Sequence, residues 1–248
     1  MVSLRNKVVV ITGASSGIGK AACIAFAKQG ARVALIARRK ERLEDLACHI
    51  QKLDRDCAIF PADVADPEAI DNAFDKIFTH FGRIDFLINN AGRGLKAEIC
   101  DIGYTDWVST IHSNLTGVFL CTKAAVKRMR ETNGKGHILV VSSVAGRFGA
   151  PKYSAYCASK HGVTGFAKSV RWELRKYGIK ISTIYPMRVD TEFFHNYPKK
   201  PHRRQMLAPE DVARYLVSLS RGNPIEIGFV LVSNFLKRIF YLLNLFRN

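Results

Sequence analysis

Short apolar runs rich in β-forming residues alternate with helix-length segments along almost the whole chain, and this alternation restricts the fold more than any other feature. The runs are Val8–Thr12, Arg32–Ile36, Ala58–Phe60, Phe86–Ile88, His137–Ser142, Lys180–Tyr185 and Ile227–Val232. Between them lie helical patterns such as Ile18–Gln29, Lys40–Leu53, Pro67–Phe81 and Ala155–Tyr177. The runs show no polar alternation, which marks strands buried on both faces. Repeated strand–helix units imply a parallel sheet joined by right-handed crossovers. The expected architecture is α/β: one doubly wound sheet of about seven strands with helices on both faces. The length of 248 residues suits a single such domain, placed at residues 1–232, with 233–248 left as a tail.

Ligands of such sheets bind beyond the carboxyl ends of the strands. The first strand ends in Thr12-Gly13-Ala14-Ser15-Ser16-Gly17-Ile18-Gly19. Gly13 permits the tight turn, Gly17 lets the backbone approach a pyrophosphate, and Gly19 lets helix and strand pack closely. The helix that begins there, around Ile18, offers free N–H groups and a positive dipole end to phosphates. Ser15 and Ser16 lie within the same loop, so the sheet is read as Rossmann-type. An NAD site wants an acidic residue at the end of the second strand; Ala37 supplies none, and Arg38 and Arg39 can pair with a 2′-phosphate. NADP(H) is the cofactor this pattern selects. Asp63 and Val64 follow the third strand, where the adenine is expected. Asn89-Asn90-Ala91-Gly92 follows the fourth, which places Asn90, Ala91 and Gly92 in the cofactor pocket.

Tyr156 and Lys160 stand four residues apart and share one helical face. The ammonium is expected to lower the tyrosine's pKa, so that Tyr156 gives a proton to a carbonyl oxygen while hydride arrives from a nicotinamide. Ser143, at the end of the fifth strand, is expected to hydrogen-bond the same oxygen.

Together these motifs resemble the short-chain dehydrogenase/reductase family, from Lys7 to about Val232: TGASSGIG at 12–19, NNAG at 89–92, Ser143, and YCASK at 156–160. The resemblance implies a catalytic tetrad of Asn114, Ser143, Tyr156 and Lys160, with Asn114 helping to hold a water that relays protons to Lys160. It also implies that Arg38 reads the 2′-phosphate and that Tyr156 and Lys160 contact the cofactor. Pro186, Val189 and Thr191 would complete the pocket, in the loop after the sixth strand. A homodimer or homotetramer built through the helices around Thr116–Arg130 and Ala155–Tyr177 is implied as well. The family usually has Pro-Gly after the sixth strand, whereas here Met187 follows Pro186. That departure bears on where Thr191 lies.

The function indicated is reduction of a ketone to a secondary alcohol, reversibly. An NADP-binding sensor or scaffold with little turnover is the alternative. Phe193, Phe194 and Tyr197 could line an apolar pocket, and Lys199, Lys200, His202, Arg203 and Arg204 could attract an anionic group. Residues 233–248 would form an amphipathic helix, with Phe235, Leu236, Ile239, Phe240, Leu243 and Phe246 on one face and Lys237, Arg238 and Arg247 on the other. An apolar lid and such a tail favour a lipid-like substrate: a 3-oxoacyl chain, a long-chain keto base or a steroid-like ketone. Peripheral membrane contact is a possible role of the tail.

The formal charge of +17 attracts anions, but no nucleic-acid motif accompanies it, so no nucleic-acid partner is expected. Six cysteines without CxxC or His spacing read as reduced thiols of a cytoplasmic protein, with no metal. Met1 to Lys7 has no charged segment followed by a long apolar core, so a secretory signal is not expected there.

Overall fold

The computed structural model describes residues 2–132, 135–194 and 206–222. Among these, six strands form one parallel sheet in the order β3-β2-β1-β4-β5-β6. The strands are β1 (Val8–Thr12), β2 (Arg32–Ala37), β3 (Cys57–Pro61), β4 (Phe86–Asn89), β5 (Gly136–Val141) and β6 (Ile179–Ile184). Each predicted strand in this range is present, displaced by one residue at most. The seventh, at 227–232, lies outside the described residues, as does the tail at 233–248.

Seven α-helices are described: α1 (Gly17–Lys28), α2 (Lys40–Gln51), α3 (Pro67–Phe81), α4 (Tyr104–Ile111), α5 (Gly117–Glu131), α6 (Ser154–Arg175) and α7 (Pro209–Ser220). α3 shows how local sequence fixes an element. Asp66 caps it by accepting from the Ala69 N–H, Pro67 sits in the first turn, and Gly82 ends it at φ 74°. Between α4 and α5 the chain widens into a π-turn, His112–Thr116, an irregularity often found at functional sites.

Every residue of β1 is buried, because helices cover both of its faces. Val9 and Ile11 pack towards α1, α2 and α7, while Val8 and Val10 pack towards α3, α5 and α6. The two cores thus lie on opposite sides of one sheet, as the uninterrupted apolar strands require.

One buried polar contact has a pH consequence. His137 in β5 is 4% exposed, and its Nε2 lies 2.8 Å from Ser182 Oγ in β6. Burial, helped by the nearby Lys180 charge, lowers its pKa from 6.5 to about 4. The folded state therefore binds this proton less readily than the unfolded state, and stability from His137 is lost as pH falls from 6.5 to about 4. We expect the folded protein to lose about 3 kcal/mol across that window from this group. In His137→Gln, urea melts at pH 4.5 and 7 should differ less than in the wild type. Equal pH dependence in both proteins would refute the assignment.

Candidate active site

At the carboxyl ends of β1 and β4 the two strand-end loops are tied together. Thr12 Oγ1 accepts from the N–H groups of Asn90 and Ala91 at 3.0 and 3.1 Å, and the Asn90 amide donates to the Thr12 carbonyl at 3.0 Å. Asn90 therefore shapes the glycine loop with its side chain. Gly13 and Gly17 have φ of 67° and 52°, a region that disfavours side chains. A Cβ at Gly13 would come within 2.9 Å of Ala91 Cα, and one at Gly19 would overlap the Gly13 carbonyl oxygen. Such a cradle fits a phosphate chain lying against backbone. Ser16 precedes α1 without using its side chain as a cap, so the first N–H groups of the helix remain available.

A cleft of about 910 Å³ runs from this loop to Tyr156. Its lining includes Gly13, Ser15, Ser16, Gly17, Ile18, Arg38, Arg39, Asp63, Val64, Asn90, Ala91 and Gly92. Ser143, Tyr156, Lys160, Pro186, Val189 and Thr191 line it too. Gly19 and Asn114 stand behind the wall rather than in it: Gly19 under the loop, and Asn114 fully buried. Arg38 is largely exposed and lies 3.6 Å from Asp63. Arg39 turns the other way, donating to Ser15 Oγ at 2.9 Å and Ser16 Oγ at 3.1 Å.

Thr191 reaches Gly17 despite Met187: a Cβ on Gly17 would stand 2.9 Å from Thr191 Cγ2. The Met187 side chain is exposed at the rim of the cleft. Val189 pairs with Leu207 in a parallel bridge that holds this loop.

At the other end, Tyr156 and Ser143 line the cleft together, with the Ser143 side chain close enough to influence the tyrosine hydroxyl. The expected tuning of the tyrosine is not found. Its ring is partly exposed, but burial around the hydroxyl raises the pKa to about 12, against the lowering effect of Ser143. Lys160 Nζ instead donates to the Val141 carbonyl at 3.0 Å and lies 5.8 Å from the centre of the Tyr156 ring. Burial lowers the lysine to about 8. With no anion beside it, the buried amine loses solvation without gaining a charge partner.

The Asn114 side chain, in the π-turn, does not reach Lys160 but clamps the segment after β4. Its Oδ1 accepts from the Arg93 N–H at 2.7 Å, and its Nδ2 donates to the Arg93 carbonyl at 2.9 Å and to Ser159 Oγ at 3.0 Å. Ser159 is buried beside Lys160 and was not singled out from sequence, although it lies inside the YCASK motif.

Glu192 and Arg42 were missed as well. Glu192 accepts from Arg39 at 3.1 Å and from Arg42 at 2.6 and 2.8 Å. Burial opposes its ionisation, yet the hydrogen bonds from Arg42 and Arg39 hold the carboxyl below its ordinary range. The basic run from Arg38 to Arg42 was the available signal. Phe193, expected in an apolar pocket, stacks edge-on to Tyr156 with ring centres 5.3 Å apart. The side chain of Phe194, and residues 195–205 with the basic cluster, lie outside the described residues. No group of metal-ligating residues is found among the described residues.

Asn114→Ala should remove all three clamping bonds and leave partly buried backbone groups of Arg93 unpaired. We expect the unfolding free energy to fall by about 3 kcal/mol, read by denaturant titration. A loss below about 1 kcal/mol would mean that water or neighbouring groups replace the clamp.

The family model for short chain dehydrogenase matches residues 7–202. A D-threitol dehydrogenase from Mycolicibacterium smegmatis is 40% identical over 192 residues, covering 77% of this chain and 74% of the relative. A 3-oxoacyl-(acyl-carrier-protein) reductase from Synechocystis is 35% identical over 229 residues, covering 92% and 88%. Among solved structures, an alcohol dehydrogenase from the archaeon Thermococcus sibiricus complexed with 5-hydroxy-NADP matches with a TM-score of 0.85 and 28% identity, covering 93% and 97%. An actinorhodin polyketide ketoreductase variant with NADPH matches with a TM-score of 0.80, 28% identity and coverage of 89% and 92%. The chain belongs to the short chain dehydrogenase family and is an oxidoreductase acting on alcohol and carbonyl groups.

Proposed function

We propose that this enzyme is an NADPH-dependent carbonyl reductase, converting a ketone reversibly to a secondary alcohol. The observation that carries this reading is one cleft lined at one end by Ser143, Tyr156 and Lys160 and at the other by a glycine cradle flanked by arginines. Gly13, Ser15, Ser16, Gly17, Ile18, Gly19, Arg38 and Arg39 would hold the phosphates. Asp63, Val64, Asn90, Ala91 and Gly92 would hold the adenosine and its linker, and Pro186, Val189 and Thr191 the nicotinamide end. The bound cofactor supplies the hydride. Tyr156 gives the proton to the carbonyl oxygen, and Ser143 holds that oxygen by a hydrogen bond. Lys160 contributes positive charge when the phenol gives up its proton, and Asn114 positions the loop beside it.

A phenol with a pKa near 12 is protonated at neutral pH, which suits the reducing direction. The two matched structures hold NADP-type cofactors. Phe193, Tyr153 and Met187 put apolar surface beside the reacting hydroxyls, which favours a lipid-like ketone such as a 3-oxoacyl chain, a long-chain keto base or a steroid-like ketone. The relatives named for acyl and polyketide substrates fit that class.

We place residues 1–232 in one domain and 233–248 in a tail that contacts lipid surfaces peripherally, in a cytoplasmic protein. No described helix is long and apolar enough to cross a membrane. The homo-oligomer would form through α5 and α6, which expose Phe119 and Trp172.

Tyr156→Phe keeps the ring and removes the proton donor. We expect kcat to fall about 10³-fold with a panel of acyl, sphingoid, steroid and sugar ketones, while NADPH binding stays within about twofold of the wild type. Substantial residual turnover would remove Tyr156 from this role. Wild-type turnover confined to sugar ketones would overturn the lipid-like assignment.

A further inference from the structure

Glu192 has an arrangement that the family motifs leave unexplained. It stands 150 residues beyond Arg42 in the sequence, yet its two carboxylate oxygens are gripped by Arg42 and Arg39. Arg39 simultaneously holds both hydroxyls of the glycine loop, Ser15 and Ser16. These ion pairs are 40–45% exposed, and exposed pairs contribute little to holding a fold together. The geometry is nevertheless that of an anion seat: two guanidinium groups converge on one carboxylate, one of them anchored on two loop hydroxyls, at the end of the cleft that has no acidic residue on β2. A carboxylate and a phosphate monoester present similar oxygens to arginine, and the phosphate brings nearly twice the charge.

Resting on the NADP(H) reading above, we propose that Glu192 is an internal anion occupying the seat of the 2′-phosphate, which NADP(H) must displace. NAD(H), lacking that phosphate, leaves Glu192 where it is. Glu192 thereby sets how strongly the enzyme prefers one cofactor over the other, opposing the phosphate that Arg39 and Arg42 attract. It is a specificity-determining residue with a negative sign: the intact chain binds NADP(H) less tightly than its own arginines would allow. No bond forms or breaks in this exchange; one oxyanion replaces another on the same donors.

The test is direct titration of NADPH and of NADH, by calorimetry, into the full-length wild type, Glu192→Gln and Glu210→Gln. Glu210 lies on the rim of the same neighbouring cavity as Glu192, and among the described residues no ion pair holds it. It therefore reports the effect of removing a nearby negative charge alone. In Glu192→Gln we expect NADPH to bind about fivefold more tightly, about 1 kcal/mol, with NADH within about twofold of the wild type. Glu210→Gln should leave the ratio of the two affinities unchanged. Thermal melts without cofactor confirm that each variant is folded. Weaker NADPH binding in Glu192→Gln would make Glu192 a positioning residue for the arginines and overturn the exchange. An unchanged ratio, or an equal gain in Glu210→Gln, would overturn it as well. The wild-type ratio tests the cofactor reading separately. Were the wild type to bind both cofactors equally while Glu192→Gln gained a preference for NADPH, the exchange would stand and the NADPH assignment would fall.

Discussion

The strand order turns on β1. From β1 the chain adds β2 and then β3 on one side, then crosses back to place β4, β5 and β6 on the other. The loops leaving β1 and β4 consequently diverge to opposite faces of the sheet, and a crevice must open between them. Everything that defines the site is arranged along it. The glycine loop follows β1, the Asn90 turn follows β4, and Ser143 lies just past β5. α6, packed on β6, delivers Tyr156 and Lys160. The apolar filling of both faces keeps the two lips of the crevice from shifting relative to one another.

Burial sets the electrostatics of the two ends in opposite ways. At the reacting end the groups are sunk among protein atoms, so Tyr156 and Lys160 are both pushed towards their neutral forms. At neutral pH the phenol keeps its proton, while the lysine stays mainly cationic but with less margin than an exposed one. At the nucleotide end Arg38, Arg39 and Arg42 remain exposed and paired with Asp63 or Glu192. Charge there is fully developed but partly neutralised by the chain itself. A ligand carrying phosphate therefore meets competition from carboxylates, whereas a carbonyl at the far end meets the neutral hydroxyl side chains of Ser143 and Tyr156.

Much of this was legible in the sequence, for physical reasons. Strands buried on both faces leave a continuous apolar run, and β1 to β6 each left one. The glycine spacing at 13, 17 and 19 declared a backbone cradle because two of the three positions require conformations that a side chain resists. Other features were not legible. α4 is only eight residues long, too short for periodicity to register, and the π-turn after it has no periodic signature. α7 did carry signals, with Pro209 in its first turn and two acids beside it, and was overlooked. Spacing placed Tyr156 and Lys160 on one face but could not say that the ammonium would turn to the Val141 carbonyl. Likewise Arg38 and Arg39 are indistinguishable in sequence; leaving a strand, consecutive side chains point to opposite sides, and only Arg39 reaches the glycine loop. The grip of Glu192 on Arg42 spans too much chain for any local pattern to reveal.

The order of the parts along the chain has a consequence for biosynthesis. The loops assigned above to the phosphates are complete once β4 and Asn90 have been made, whereas Tyr156, the proposed proton donor, and the buried amine sit in α6, more than sixty residues later. Parallel strands joined by long crossovers pair late, because closing the intervening chain costs entropy before any contact repays it. A ribosome therefore releases the arginine-bearing segment before the helix that carries the proposed reacting groups. An unfinished polypeptide that stops short of α6 carries Arg38, Arg39 and Arg42 but holds neither Tyr156 nor Lys160, the residues to which the reaction is assigned above.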